Sequence, residues 1–186
     1  MTTPRFNPSN SVEFDLARGQ IALRGESGRL LVPADALLAL CQAAEPEARK
    51  DFARRLGTEI GRRVAERLGG ADQASPEAVV EHLGGDWALM GLGSLALESW
   101  GKALLLHVVD SPLGDAGDDV LGGAFEGALQ RGFGRDAAVV RLTRDGSRVR
   151  FLVTSRSGGE RVEQWLAGGS SWIEVLGRLD SQRGEA

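Results

Sequence analysis

Apolar and polar residues alternate over Val12–Leu16 and again over Gln20–Arg24, on either side of Arg18-Gly19. A period of two broken by a turn dipeptide predicts a hairpin. Gly25–Gly28 reads as a turn and Arg29–Val32 as a short strand. Pro33 presets the first turn of a helix and Asp35 suits its positive end, so Leu37, Leu38, Leu40 and Cys41 fall on an apolar helical face. After Glu45-Pro46-Glu47 the period becomes four. Phe52, Leu56, Ile60, Val64 and Leu68 form one buried stripe, and Arg54, Arg55, Arg62, Arg63 and Arg67 occupy the other faces.

The remaining elements follow from similar punctuation. Gly69-Gly70 ends the long helix, and Ser75-Pro76-Glu77 starts a short one that Gly84-Gly85 is expected to break near His82 or Leu83. Leu92–Trp100 and Lys102–Val109 predict a hairpin turning at Trp100-Gly101. Asp118–Phe133 reads as a helix with acidic residues at its start. Ala137–Arg144 and Arg148–Ser155 pair across Asp145-Gly146, the strongest hairpin signal in the chain. Gly158-Gly159 is expected to break the chain before two short helices, Glu160–Leu166 and Ser171–Leu179. Strands joined by tight turns, with helices between the pairs, predict an α+β fold: a twisted antiparallel sheet packed with helices. The expected limits are a flexible tail over 1–11, one domain over 12–180 and a disordered tail over 181–186.

Glycine costs helix stability, so Gly57/Gly61 and Gly123/Gly127, each four apart, predict close backbone approach within the chain or across a dimer. Trp172, Leu176 and Leu179 share one face of the last helix, with Trp165 just before it. That face either caps the chain's own sheet or docks a partner.

Composition narrows the functional classes. The 186 residues suit one domain. The net charge of -4 gives no basic excess to neutralise phosphates, which argues against a nucleic-acid partner. No apolar run approaches the length of a membrane span, and the N-terminus lacks an apolar signal region. A single cysteine fits a reducing compartment, so a cytoplasmic location is expected. The two histidines, His82 and His107, are read as a surface helix cap and a half-buried strand residue. No Cys/His spacing suits a metal, and no phosphate loop or nucleophile elbow is present. A non-catalytic protein with no metal is the expectation.

Three stretches carry a resemblance. Leu37-Leu38-Ala39-Leu40-Cys41, with Leu56-Gly57-Thr58-Glu59-Ile60-Gly61-Arg62-Arg63-Val64 after an acidic linker, looks like the first two helices of the small TRAPP vesicle-tethering subunits. Met90-Gly91-Leu92-Gly93, the hairpin and Ser111-Pro112-Leu113 resemble their central region. Val120-Leu121-Gly122-Gly123-Ala124-Phe125-Glu126-Gly127-Ala128-Leu129 is similar to their glycine-containing helix. The related bacterial 4-vinyl-reductase-type and haem-NO-binding-associated domains share this plan. The resemblance is strongest over 30–155. It implies helix-mediated dimerisation and an internal apolar cavity, with Cys41 at the position that carries a fatty acyl chain in some TRAPP subunits and Leu37 and Leu38 beside it. The C-terminal cysteine cluster common in 4-vinyl-reductase-type domains is missing, which disfavours metal or redox sensing. The terminal tryptophan-bearing helices extend beyond the shared plan. The expected function is therefore an interaction scaffold, as a homodimer or heterodimer, with a small GTPase as a candidate partner. The alternative is a small-molecule or lipid sensor with an apolar cavity, and an enzyme ranks third.

Overall fold

The structure, a computed structural model, describes residues 7–9, 11–69, 76–101, 103–134 and 136–184. It is α+β. Three short strands, β1 (Val12–Asp15), β2 (Gln20–Leu23) and β3 (Glu26–Arg29), form an antiparallel meander. Helices α1 (Ala34–Ala43), α2 (Pro46–Leu68) and α3 (Pro76–Leu89) follow. Then come β4 (Ser94–Trp100), β5 (Ala103–Val109), α4 (Asp118–Phe133), β6 (Ala138–Asp145), β7 (Arg148–Thr154), α5 (Arg156–Ala167) and α6 (Trp172–Gly184). The main sheet has the order β4-β5-β7-β6, all antiparallel, so β4 and β6 are its edges.

Alternation along these strands feeds two cores. Leu106, Val108, Val149 and Phe151 face inward to α2, α3 and α4, joining Ile60, Val64, Leu83, Trp87, Leu121 and Phe125. Their strand neighbours Leu105 and Leu152, with Val140 and Leu142, face outward to Val162, Val175, Leu176 and Leu179 of α5 and α6. The sheet is thus covered on both sides, because both of its faces are apolar.

The glycine strips meet each other. A Cβ on Gly57 would fall on the Ala124 carbonyl, and one on Gly127 would fall on that of Arg54. A Cβ on Gly123 would lie 2.7 Å from the Ala53 methyl, and Gly61 abuts Ala128 and Gly132. The α2–α4 contact is therefore backbone against backbone, and it uses up the strips that a dimer was also expected to need.

Other expectations are corrected. Gly84-Gly85 does not break α3. Leu83 and Trp87 continue a buried spacing of four, and that burial carries the helix through Gly84-Gly85 beside Leu95 of β4. Gly158-Gly159 sits inside the first turn of α5. The Ser155 hydroxyl caps that turn by accepting from the Gly158 N–H, and a Cβ on Gly159 would press on Ala138 of β6. The strand expected over Arg29–Val32 lies earlier, at Glu26–Arg29, because the chain already turns at Arg24-Gly25, both at positive φ, and pairing with β2 begins at Glu26 opposite Leu23. The tail expected over 1–11 falls partly outside the described residues. Ser11, however, is buried, and its carbonyl accepts from the Arg24 N–H. Helix α6 continues through Gly184, past the expected limit at 180.

An ion network fastens the meander to the helices. Arg29 donates to Glu26 (2.7 Å) and Glu59 (2.8 Å), and Arg62 donates to Glu26 (2.6 Å) and Glu59 (3.0 Å). The Arg62 guanidinium, with Arg29 beside it, holds the Glu59 carboxyl at about 2. Deeper in, Arg67 donates to the fully buried Asp86 at 2.8 Å, and Arg63 stands beside it.

Candidate functional site

The inner core contains a run of three aromatic rings. Trp87 of α3 stacks on Phe125 of α4, with centroids 4.0 Å apart and planes within 4°. Phe125 meets Phe151 of β7 edge to face at 5.5 Å. Such pairs contribute about 0.5–1.5 kcal/mol beyond area burial. The indole N–H of Trp87 donates to the Leu92 carbonyl at 3.2 Å, which fixes the ring at the far end of the run.

The near end opens on a groove. It encloses about 560 Å³ between the start of α2, helix α4, the edge strand β6 and α5, and Phe151 is part of its lining. Gly122 and Gly123 leave the α4 backbone without side chains here, and a Cβ at Gly122 would lie 3.6 Å from the Phe151 ring. Val139, Val140 and Leu166 supply further apolar lining. An adjoining hollow of about 360 Å³ shares Lys50, Glu126 and Glu163 with it. Glu126 accepts from Arg54 (2.9 Å) and from the Val139 N–H (3.3 Å), which closes part of the free edge of β6. Among the described residues, Lys50 and Glu163 have no ion-pair partner, so the rim offers both a donor and an acceptor. The rest of the lining is charged: Glu47, Arg49, Lys50, Asp118, Asp119, Glu126, Arg141 and Glu163 surround the apolar patch, so the groove suits a small molecule with an apolar body and polar groups at its edge.

The residues singled out from sequence divide between places. Cys41 is buried, packed into the inner core beside Leu37, and lines neither groove. Burial raises its thiol pKa, with Arg49 opposing. Leu38 is half-buried on the same helix. Leu176 and Leu179 are buried in the outer core, with Trp165 and Trp172 packed against it. His82, expected at a surface helix end, is buried within α3, because that helix runs on to Leu89. Asp118, read as a helix-end charge, is also buried and binds Arg144 (3.0 Å) and Arg141 (3.2 Å). His107 is the half-buried strand residue expected. It contacts Glu98, and burial lowers its pKa while Glu98 opposes. Arg150, its partner across the strands, lies 5.2 Å from the Trp172 ring. Sequence reasoning missed the aromatic run. The available signal was Trp87 four residues after Leu83, and Phe125 as the one aromatic in a stretch of small residues.

No helix among the described residues is long and apolar enough to cross a membrane. No protein-family model and no curated protein matches this chain. Among solved structures it is similar to the crystal structure of the phenol-responsive sensory domain of the transcription activator PoxR with phenol. That match covers 90% of this chain and 92% of the other, at 18% identity and a TM-score of 0.56. The chain shares the fold of that sensory domain.

Proposed function

We propose that this chain is a non-catalytic, cytoplasmic sensory domain that binds a small, largely apolar organic molecule. The carrying observation is the groove floored by Phe151, from which the Phe125 and Trp87 rings lead into the core. The ligand's apolar body would rest on Gly122, Gly123 and Phe151, and its polar group would meet Lys50 or Glu163. The fold likeness to a domain solved with phenol supports this reading over the small-GTPase scaffold expected first from sequence.

The test is a thermal-shift and tryptophan-fluorescence titration with phenol and substituted phenols. A binder at about 100 times its dissociation constant should stabilise the fold by about 2.7 kcal/mol. Gly122→Leu, which places a side chain on the groove floor, should remove the shift while the circular dichroism spectrum stays native. The reading fails if no compound in the panel raises Tm at millimolar concentration, or if the leucine variant binds like the wild type.

A further inference from the structure

Among the strand residues that line the groove, Arg141 is the charged one, and a bulge in β6 decides where it points. Residues three apart in a regular strand face opposite ways. Here the pairing with β7 slips by one residue: Arg141 lies opposite Phe151, but Thr143 lies opposite Arg150. Arg141 and Arg144 therefore share the inner face, and both donate to Asp118 at the start of α4. Arg144 alone satisfies both oxygens of that buried carboxylate. Arg141 adds a further hydrogen bond at 3.2 Å, its side chain's one polar partner among the described residues, and that side chain is 53% exposed. Arg141 can thus turn to a ligand while Asp118 stays paired.

We propose that Arg141 is the specificity-determining residue of the groove and that the ligand is an aromatic acid, whose carboxylate pairs with its guanidinium. This rests on the small-molecule reading above and names the ligand class. Position is the first support. Directly opposed residues on paired strands have Cβ atoms about 5 Å apart, so a ring resting on Phe151 brings its acidic substituent to Arg141. Chemistry is the second. A guanidinium is a planar fork that matches a carboxylate through two parallel N–H donors. Length is the third. From Asp118 to Glu126, where the groove meets the adjoining hollow, α4 runs about 12 Å. A single ring with its acid at Arg141 therefore turns its opposite substituent toward Lys50 and Glu163. The groove's own acids do not cancel this choice. Arg144 neutralises Asp118 and Arg54 neutralises Glu126. Glu47, Asp119 and Glu163 are exposed, where water weakens their repulsion. Arg49 and Lys50 add positive charge along the α2 side.

Calorimetric titration with matched ligands tests the assignment at pH 7, where a carboxyl is ionised and a phenol is not. The acids are para-hydroxybenzoate and para-hydroxyphenylacetate; the neutral counterparts are para-hydroxybenzyl alcohol and para-hydroxybenzamide. The wild type should bind the acids about 10-fold or more tighter, the strength of a charge-assisted hydrogen bond. Arg141→Gln should weaken the acids by about 10–100-fold and the neutral compounds by less than about 3-fold. Arg141→Lys, which keeps the charge and loses the fork, should retain part of the preference. The wild-type preference is read without any variant, so a folding defect in Arg141→Gln does not blunt the test. Neutral compounds that bind the wild type as tightly as the acids overturn the assignment and leave the small-molecule reading standing. If Arg141 only braced Asp118, Arg141→Gln would weaken all four compounds alike or none, and the assignment would fall. Should neither these compounds nor phenol bind, both the assignment and the reading beneath it are wrong.

Discussion

The two layers that cover the main sheet are built on opposite plans. On the inner side α2 and α4 touch through backbone, with Gly57, Gly61, Gly123 and Gly127 set against Ala53, Ala124, Ala128 and the Arg54 carbonyl. On the outer side α6, and α5 beyond its glycine-bearing first turn, pack on the sheet through large side chains: Val162, Trp165, Leu166, Trp172, Val175, Leu176 and Leu179. A backbone seam gains close dispersion contact and has no room to adjust, because carbonyls cannot rotate away as side chains do. A side-chain layer is thicker and more forgiving of added atoms, and it loses stability when atoms are removed. Added volume should therefore damage the inner layer, and removed volume the outer one.

The largest expected effect is on the inner seam. In Gly57→Ala the new methyl would occupy the place of the Ala124 carbonyl, so α2 and α4 must separate along their length. Overpacking typically costs 1–3 kcal/mol, and with backbone as the obstacle the loss should be about 3 kcal/mol or more. For a domain of this size that corresponds to a fall in Tm of about 10 °C, read by calorimetry. A Tm within about 2 °C of the wild type would mean that the seam is slack, and the contrast between the layers would collapse.

The next effect comes from the outer layer and has the opposite cause. Leu176 is fully buried between α6 and the sheet. Leu176→Ala removes side-chain atoms and leaves a cavity, at an expected cost of about 2–3 kcal/mol in chemical denaturation. The same measurement decides what α6 is for. If the face were kept free to dock a partner, Leu176→Ala would leave stability intact and weaken only binding. Its burial in the outer core predicts the reverse.

The periodic elements were legible in the sequence, and the tertiary environments were not. The stripe from Phe52 to Leu68 gave α2 with its correct end at Gly69, although Phe52 is exposed and the buried face runs through Ala53, Gly57, Ile60, Gly61, Arg63 and Val64 to meet α4; Asp145-Gly146 placed the β6–β7 hairpin, because both signals are local. Gly84-Gly85 and Gly158-Gly159 misled for one reason. A glycine pair weakens a helix by itself, but tertiary packing outweighs the propensity cost: Leu83 and Trp87 bury one face of α3, and Gly158-Gly159 fit α5 against Thr154 and Ala138. His82 was misplaced because α3 runs on to Leu89 and buries it, whereas Asp118 does start α4 as expected and its burial against Arg144, 26 residues away, was not local enough to read. The groove was invisible for the same reason. It is assembled from α2, α4, β6 and α5, and its floor depends on Gly122, which has no side chain to signal it.

The smallest expected effect tests the contrast most directly, since it repeats one substitution in the other layer. Gly177 lies inside α6, and a Cβ built there meets nothing within 4 Å. It has no neighbour to displace and makes no close approach that requires glycine. Its remaining effect is entropic: a glycine in a helix interior leaves the unfolded chain more freedom to lose on folding. Gly177→Ala should therefore stabilise the protein by about 0.5–1 kcal/mol, a rise in Tm of about 2 °C. The same exchange of hydrogen for methyl then has opposite signs at positions 57 and 177, with the larger magnitude at 57. If Gly177→Ala were destabilising, α6 would have to lie closer to a neighbour than its open surroundings allow, and the outer layer would be a second tight seam. A melting curve of each single variant beside the double variant completes the comparison. The two sites sit on opposite sides of the sheet, so their effects should add within about 0.5 kcal/mol. A larger departure would show the sheet passing strain from one layer to the other.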